Sequence, residues 1–257
     1  DGTTVDGTNA AQVLLSDTYW MFGNDGAAQD AYFSSVAALA FEHIMGNLSN
    51  AGVMDLLDLV MQGSEQGRLL VWMANEDEEM AIDQMGFSGK LETDLSTPVL
   101  GVYLNDDTYS KISWYLSCYT QVDEGTKNSD GSVTYNVTTT MTNNITDEIA
   151  EEAPLYIYGG NSAKRDNSDM LDYVIFVAPA GGAISNMSVN DGVMIDNYGF
   201  SEATLSGLQT LRTRTHLRSG ESAVFTYQVT VSSEATEPLA VRTTPLAQES
   251  YMQAPAA

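Results

Sequence analysis

The densest group of chemically capable side chains in the sequence is Asn105-Asp106-Asp107-Thr108-Tyr109-Ser110-Lys111. Two adjacent carboxylates with an amide, hydroxyls and a lysine could gather a hard cation, which takes oxygen ligands, or hold the hydroxyls of a glycan. The two aspartates could also divide general acid and general base work. The same composition makes an Asx-rich turn in which Lys111 pairs with a carboxylate, a structural role that needs no ligand. The candidate ligand-binding set is therefore Asn105, Asp106, Asp107, Ser110 and Lys111, and no residue is assigned a catalytic role.

Other chemistry finds little support. The histidines are His43 and His216, far apart in the chain, and neither has a nucleophile elbow beside it. Cys118 is the single cysteine, so no disulfide can close within the chain, and the Cys and His residues do not supply a tetrahedral zinc set. Gly181-Gly182 follows an apolar run, but no Lys-Ser/Thr pair or helix start comes after it, as a phosphate-cradling loop requires. The aspartates are spaced wrongly for a helix-loop-helix calcium site, and its bidentate glutamate is missing. The reading is of a chain without cofactor or metal.

The elements that carry these residues divide by period. Before about residue 95 apolar residues recur at three- and four-residue steps. Val13, Leu14, Tyr19 and Trp20 mark a first helix, broken at Asn24-Asp25-Gly26. Asp25 caps a second with Phe33, Val36, Ala37, Ala40, Phe41 and Ile44 in one stripe, and Gly46 is its expected stop. Asn50 starts a third, with Val53, Leu56, Leu57, Val60 and Met61 on one face and Gly63 behind it. Such stripes predict a core. The run from Arg68 to Ala74 suits a buried strand, followed by a short helix in which Asn75 caps and Glu78 reaches back as in a capping box.

From Pro98 onward the period is two. Strands are expected at Val99–Leu104, at Ile112–Tyr119 with Ile112, Trp114, Leu116 and Cys118 inward, and through Val133, Tyr135, Val137, Thr139 and Met141. Further strands are expected at Tyr173–Val177, through Leu211, Thr213, Thr215 and Leu217, and through Phe225, Tyr227, Val229 and Val231. The last two should pair across the turn Arg218–Ser222. Cys118 then reads as a small core residue rather than a nucleophile. The expected class is α+β: a helix-rich α/β part over 1–108, an antiparallel, immunoglobulin-like β-sandwich over 109–245, and a flexible tail over 246–257.

Charge narrows the partners. Acids outnumber bases 35 to 10, for a net charge of −25, while 43% of the 257 residues are apolar. Such a surface repels nucleic-acid phosphates and anionic lipid headgroups. No apolar run reaches the roughly eighteen residues of a membrane span, so no membrane contact is expected within this stretch.

Several segments resemble a known family. Asp1-Gly2-Thr3-Thr4-Val5, Leu14-Leu15-Ser16-Asp17-Thr18-Tyr19, Ala28-Gln29-Asp30-Ala31-Tyr32-Phe33, Arg68-Leu69-Leu70-Val71-Trp72 and Gly101-Val102-Tyr103-Leu104-Asn105-Asp106 running on to Tyr115-Leu116 are similar to a Gram-positive, largely actinobacterial family, domain of unknown function 4012. The resemblance covers about residues 1–120 well and the β part loosely. It implies a membrane anchor upstream, an extracytoplasmic body, and a chain that begins inside the family domain. It carries no catalytic residues, because the family has no established activity.

The leading expectation is a non-enzymatic, extracytoplasmic cell-envelope module for protein or glycan interaction. A part of an enzyme of envelope glycan assembly, or an assembly or chaperone-like partner of an export system, are the alternatives. An enzyme should show a deep pocket near Asp106 and Lys111 with acids of perturbed pKa. A binder should show a shallow groove or an exposed aromatic patch.

Overall fold

The computed structural model describes residues 4–47, 53–160, 165–193, 199–248 and 252. The class is α+β: among the described residues most of the helix precedes Val99 and the strands follow it, with two short helices interrupting the strands at 147–158. Two units form. One comprises Asp1–Leu14 and Asp25–Leu91, the other Leu15–Asn24 and Glu92–Ala257. Residues 92–108, expected in the helix-rich part, lie in the second of these units. The reason is that the strand after Pro98 hydrogen-bonds to strands of the β part and not to the helical part.

The helical unit holds α1 (Ala10–Gln12), the start of a π-helical segment (Val13–Asp17), α3 (Gly26–Asn47), α4 (Val53–Glu65) and α5 (Glu76–Gln84), while α2 (Thr18–Phe22) belongs to the other unit. The Asp25 cap is present, its Oδ1 accepting from Ala28 N at 3.0 Å. Asn75 Oδ1 accepts from Asp77 N and Glu78 N at 2.9 and 3.2 Å. The residue that reaches back is Glu79, not Glu78: its Oε2 accepts from Met73 N at 2.8 Å. α3 continues past the expected stop at Gly46 to Asn47, and Gly63 lies inside α4. The expected helix start at Asn50 lies outside the described residues.

Two expectations for this unit fail. Residues 68–74 join no sheet among the described residues. Val71 N donates to Phe87 O, but Trp72 is 75% exposed. The apolar stripes do not make a closed core either: Phe41 and Ile44 of the α3 stripe and Leu56, Leu57 and Met61 of the α4 stripe are exposed. α3 is apolar on nearly all sides, so covering it needs neighbours all round. Within the unit only a small set is buried, including Val13, Gln29, Ser64 and Phe87.

The β unit stacks two sheets. One runs β10 (Ala240–Thr243), β1 (Val99–Asp106), β5 (Met170–Val177), β8 (Leu208–Leu217), β7 (Ser201–Leu205). The other runs β2 (Leu116–Val122), β4 (Val133–Asn143), β9 (Ser222–Val231), β6 (Ala183–Val189), with β3 (Thr126–Lys127) beside β4. The pairs are antiparallel except β1 with β10. Alternate residues of β4, β5, β8 and β9 turn inward, and the sheets meet through Phe176, whose ring lies 5.1 Å from Phe225 and 5.2 Å from Tyr227, edge to face in both cases.

The turn at Arg218–Ser222 does not close the expected hairpin. β8 pairs with β5 and β7, β9 with β4 and β6, so the chain crosses from one sheet to the other. Both strands carry one apolar face, and facing each other across the core buries both. Residues Ile112–Tyr115 form a 3₁₀ turn and not the first half of a strand, yet Ile112, Trp114, Leu116 and Cys118 are buried as the alternation predicts. Between β4 and β5 lie α6 (Asp147–Glu152) and α7 (Leu155–Tyr158). The tail expected from 246 starts docked, with Leu246 buried and Gln248 Nε2 donating to Trp114 O at 3.0 Å. No helix among the described residues is long and apolar enough to cross a membrane.

Candidate functional site

The loop after β1 is where the sequence gathers its polar groups, and the structure shows what each one holds. Asp106 ends the strand. Its Oδ1 accepts from Thr108 N at 2.6 Å and from Thr108 Oγ1, and its Oδ2 accepts from Ser110 Oγ at 3.0 Å. Ser110 Oγ accepts in turn from Ile112 N at 3.2 Å. This is an Asx turn reinforced by hydroxyls, in which one carboxylate organises four residues. Asp107 forms an ion pair with the guanidinium of Arg214 on β8, and its N donates to Leu171 O at 2.8 Å. Lys111 N donates to Tyr156 O at 2.9 Å, and the ammonium sits 5.5 Å from the centroid of Tyr19 on α2.

The five candidates are therefore not one constellation. Asp106 and Ser110 are brought together inside the turn. Asp107 and Lys111 each have a separate partner, and Asn105 is exposed on β1 opposite Tyr173. Only Asp106 and Ser110 spend their polar groups within the loop itself. Among the described residues no group of three His, Cys, Asp or Glu side chains is placed to hold a metal ion.

What this turn presents is Tyr109, which the sequence reading did not single out. Tyr109 has φ +53°, a left-handed backbone that costs a non-glycine residue energy, and its side chain is 100% exposed. It borders a shallow trough of about 210 Å³ lined also by Leu155, Tyr156, Gly159 and Gly160. Leu155 and Tyr156 are themselves largely exposed. Gly159, at φ +74°, ends α7, and a Cβ there would run into the carbonyl of Thr108. Gly159→Ala is expected to lower stability by about 1–3 kcal/mol, read as a fall in Tm, because both the backbone angle and the space exclude the methyl group. A signal for the site was present in the sequence as a tyrosine in the middle of an Asx turn.

A second feature lies beneath the loop. Asp172 of β5 is the register partner of Asp106, points into the core and is 3% exposed. Burial, and after it the carboxylates of Asp106 and Asp107, push its pKa up to about 8. Asp172 is thus an acid of perturbed pKa without access to a ligand. It stands in an inward slot of the alternation Met170, Asp172, Val174, Phe176, and that position was its signal. Cys118 is buried, and burial with the nearby Asp172 raises its thiol to about 12, far from a thiolate. His216 Nε2 lies 2.8 Å from Asp169 Oδ2, and no hydroxyl of the described residues bonds to its ring. That pair supplies no nucleophile.

No protein-family model matches the chain, and neither a curated protein nor a solved structure does.

Proposed function

We propose that the chain is a non-enzymatic, extracytoplasmic cell-envelope module that binds glycan at the trough beside Tyr109, within a protein of the family it resembles, anchored to the membrane through a segment upstream. The observation that carries the reading is Tyr109 itself: fully exposed, held at an unfavourable φ by the Asp106–Thr108–Ser110 turn, and bordering a shallow trough together with Leu155 and Tyr156. A tyrosine offers a flat apolar face for the C–H groups of a sugar ring and a phenol for its hydroxyls. A trough of this size holds about one sugar unit, and its openness suits a chain that continues on both sides. The acids that would serve catalysis are engaged in the turn, in an ion pair, or in the core.

The test is a titration of the whole chain against defined envelope-type saccharides on an array, repeated with Tyr109→Ala and Tyr109→Phe. Retention of a saccharide class by the parent and by Tyr109→Phe, with a loss of at least about tenfold in Tyr109→Ala at an unchanged melting temperature, supports the reading. No retained saccharide, or equal retention by Tyr109→Ala, removes it.

A second reading, a protein partner, is favoured by a different observation. Leu39 and Phe41 of α3 and Leu57 and Leu59 of α4 are large apolar side chains that stand exposed.

A further inference from the structure

We infer that the groove between residues 4–14 and α3 receives a short amphipathic helix with a basic outer face, supplied by a partner protein. The inference rests on the protein-partner reading and is independent of the glycan site. The groove measures about 920 Å³. One wall is a single face of α3, on which Tyr32, Val36, Leu39, Ala40, His43 and Ile44 follow the three- and four-residue steps of a helix. The opposite wall carries Val5, Ala10 and Leu14. From Tyr32 to Ile44 the wall extends about 18 Å, the length of a little over three helical turns. Leu39 and Ile44 are more than half exposed, so the groove is open along its length and not a closed ligand cavity.

Two arguments select the occupant. The α3 wall is helical, and the backbone groups of its interior are already paired within the helix. An extended peptide lying there would leave its own N–H and C=O groups without partners on an apolar surface, whereas a helix satisfies them internally. The charge of the occupant follows from the unit itself. Its only Arg and Lys side chains are Arg68 and Lys90, against carboxylates that include Asp6 on the groove wall and Asp30 and Glu42 on α3. An acidic helix, an anionic membrane surface or a second copy of this acidic chain is repelled, and a basic one is drawn in.

The experiment is fluorescence anisotropy of the full chain with labelled Leu/Lys peptides of about 14 residues, one patterned for an amphipathic helix and one scrambled. A third peptide carries Glu in place of Lys. The expected result is saturable binding of the patterned basic peptide, at least about tenfold tighter than either control, and at least about tenfold weakened by Leu39→Gln with Ile44→Gln. Both positions are exposed, so the fold is expected to survive, and circular dichroism checks it. Leu205→Gln, on exposed β7 of the other unit, is expected to leave affinity unchanged. Equal binding of the scrambled peptide, insensitivity to the groove substitutions, no binding, or self-association of the chain lost in the same variant overturns the inference. A photo-crosslinker placed at Leu39 and, separately, at Leu57 of α4 in cells separates the two levels. Adducts at Leu57 alone overturn the groove and leave the protein-partner reading standing, and adducts at neither remove both.

Discussion

Asp172→Asn is expected to raise the melting temperature by several degrees at pH 9 and to leave it nearly unchanged at pH 4. The carboxyl group is buried between the sheets, and burial, then the charges of Asp106 and Asp107, raise its pKa from an ordinary 3.8 to about 8. The sign follows from proton counting. Below 3.8 the group is protonated in both the folded and unfolded chain and adds no pH dependence. Between 3.8 and about 8 the folded chain holds a proton that the unfolded chain has lost, so stability falls as pH rises, by at most about 1.4 kcal/mol per pH unit from this group. Above about 8 the folded chain carries a buried carboxylate beside two others. Asparagine matches the shape of the neutral acid and cannot ionise. The difference in Tm between the two proteins should therefore grow with pH and level off above about pH 8. A difference that is flat from pH 4 to 9 would mean that Asp172 is ionised in the folded chain throughout.

The largest loss of stability should come from Phe176→Ala, about 3–5 kcal/mol by denaturant titration. Phe176 is fully buried, and its ring meets Phe225 and Tyr227 of the facing sheet edge to face. Truncation opens a cavity where the sheets join and removes both ring contacts. Phe176→Leu fills most of the space and should cost roughly half as much or less. Trp72→Ala serves as the comparison, since a side chain 75% exposed has little burial to lose and should change stability by about 0.5 kcal/mol or less.

Several local features were legible because their causes lie within a few residues. Asp25 and Asn75 cap helices since each side chain accepts from an amide two or three residues ahead. The alternation Ile112, Trp114, Leu116, Cys118 marked the buried side correctly even where the backbone is a 3₁₀ turn. The 105–111 loop stood out by composition, and its structural reading as an Asx turn describes the bonds of Asp106, but the ammonium of Lys111, expected to pair with a carboxylate, sits over Tyr19, and the loop's ion pair is Asp107 with Arg214. Tyr109 was missed because exposure of a turn residue depends on how the turn is folded, which composition does not encode.

From the sequence by itself came the α+β class, the place where the period changes, the caps, and the apolar side of the segments through Ile112–Cys118, Val133–Met141, Leu211–Leu217 and Phe225–Val231. A repeat of three to four or of two needs only the chain's own geometry, so it can be read without knowing any neighbour. Only the tertiary structure decided that β8 and β9 lie in different sheets, that the stripes of α3 and α4 face solvent, and that Asp172 keeps its proton. Periodicity states that a face is apolar but not what covers it. The charge on Asp172 depends first on its burial between the sheets and then on Asp106 and Asp107, more than sixty positions away in the chain and adjacent only once β1 has paired with β5.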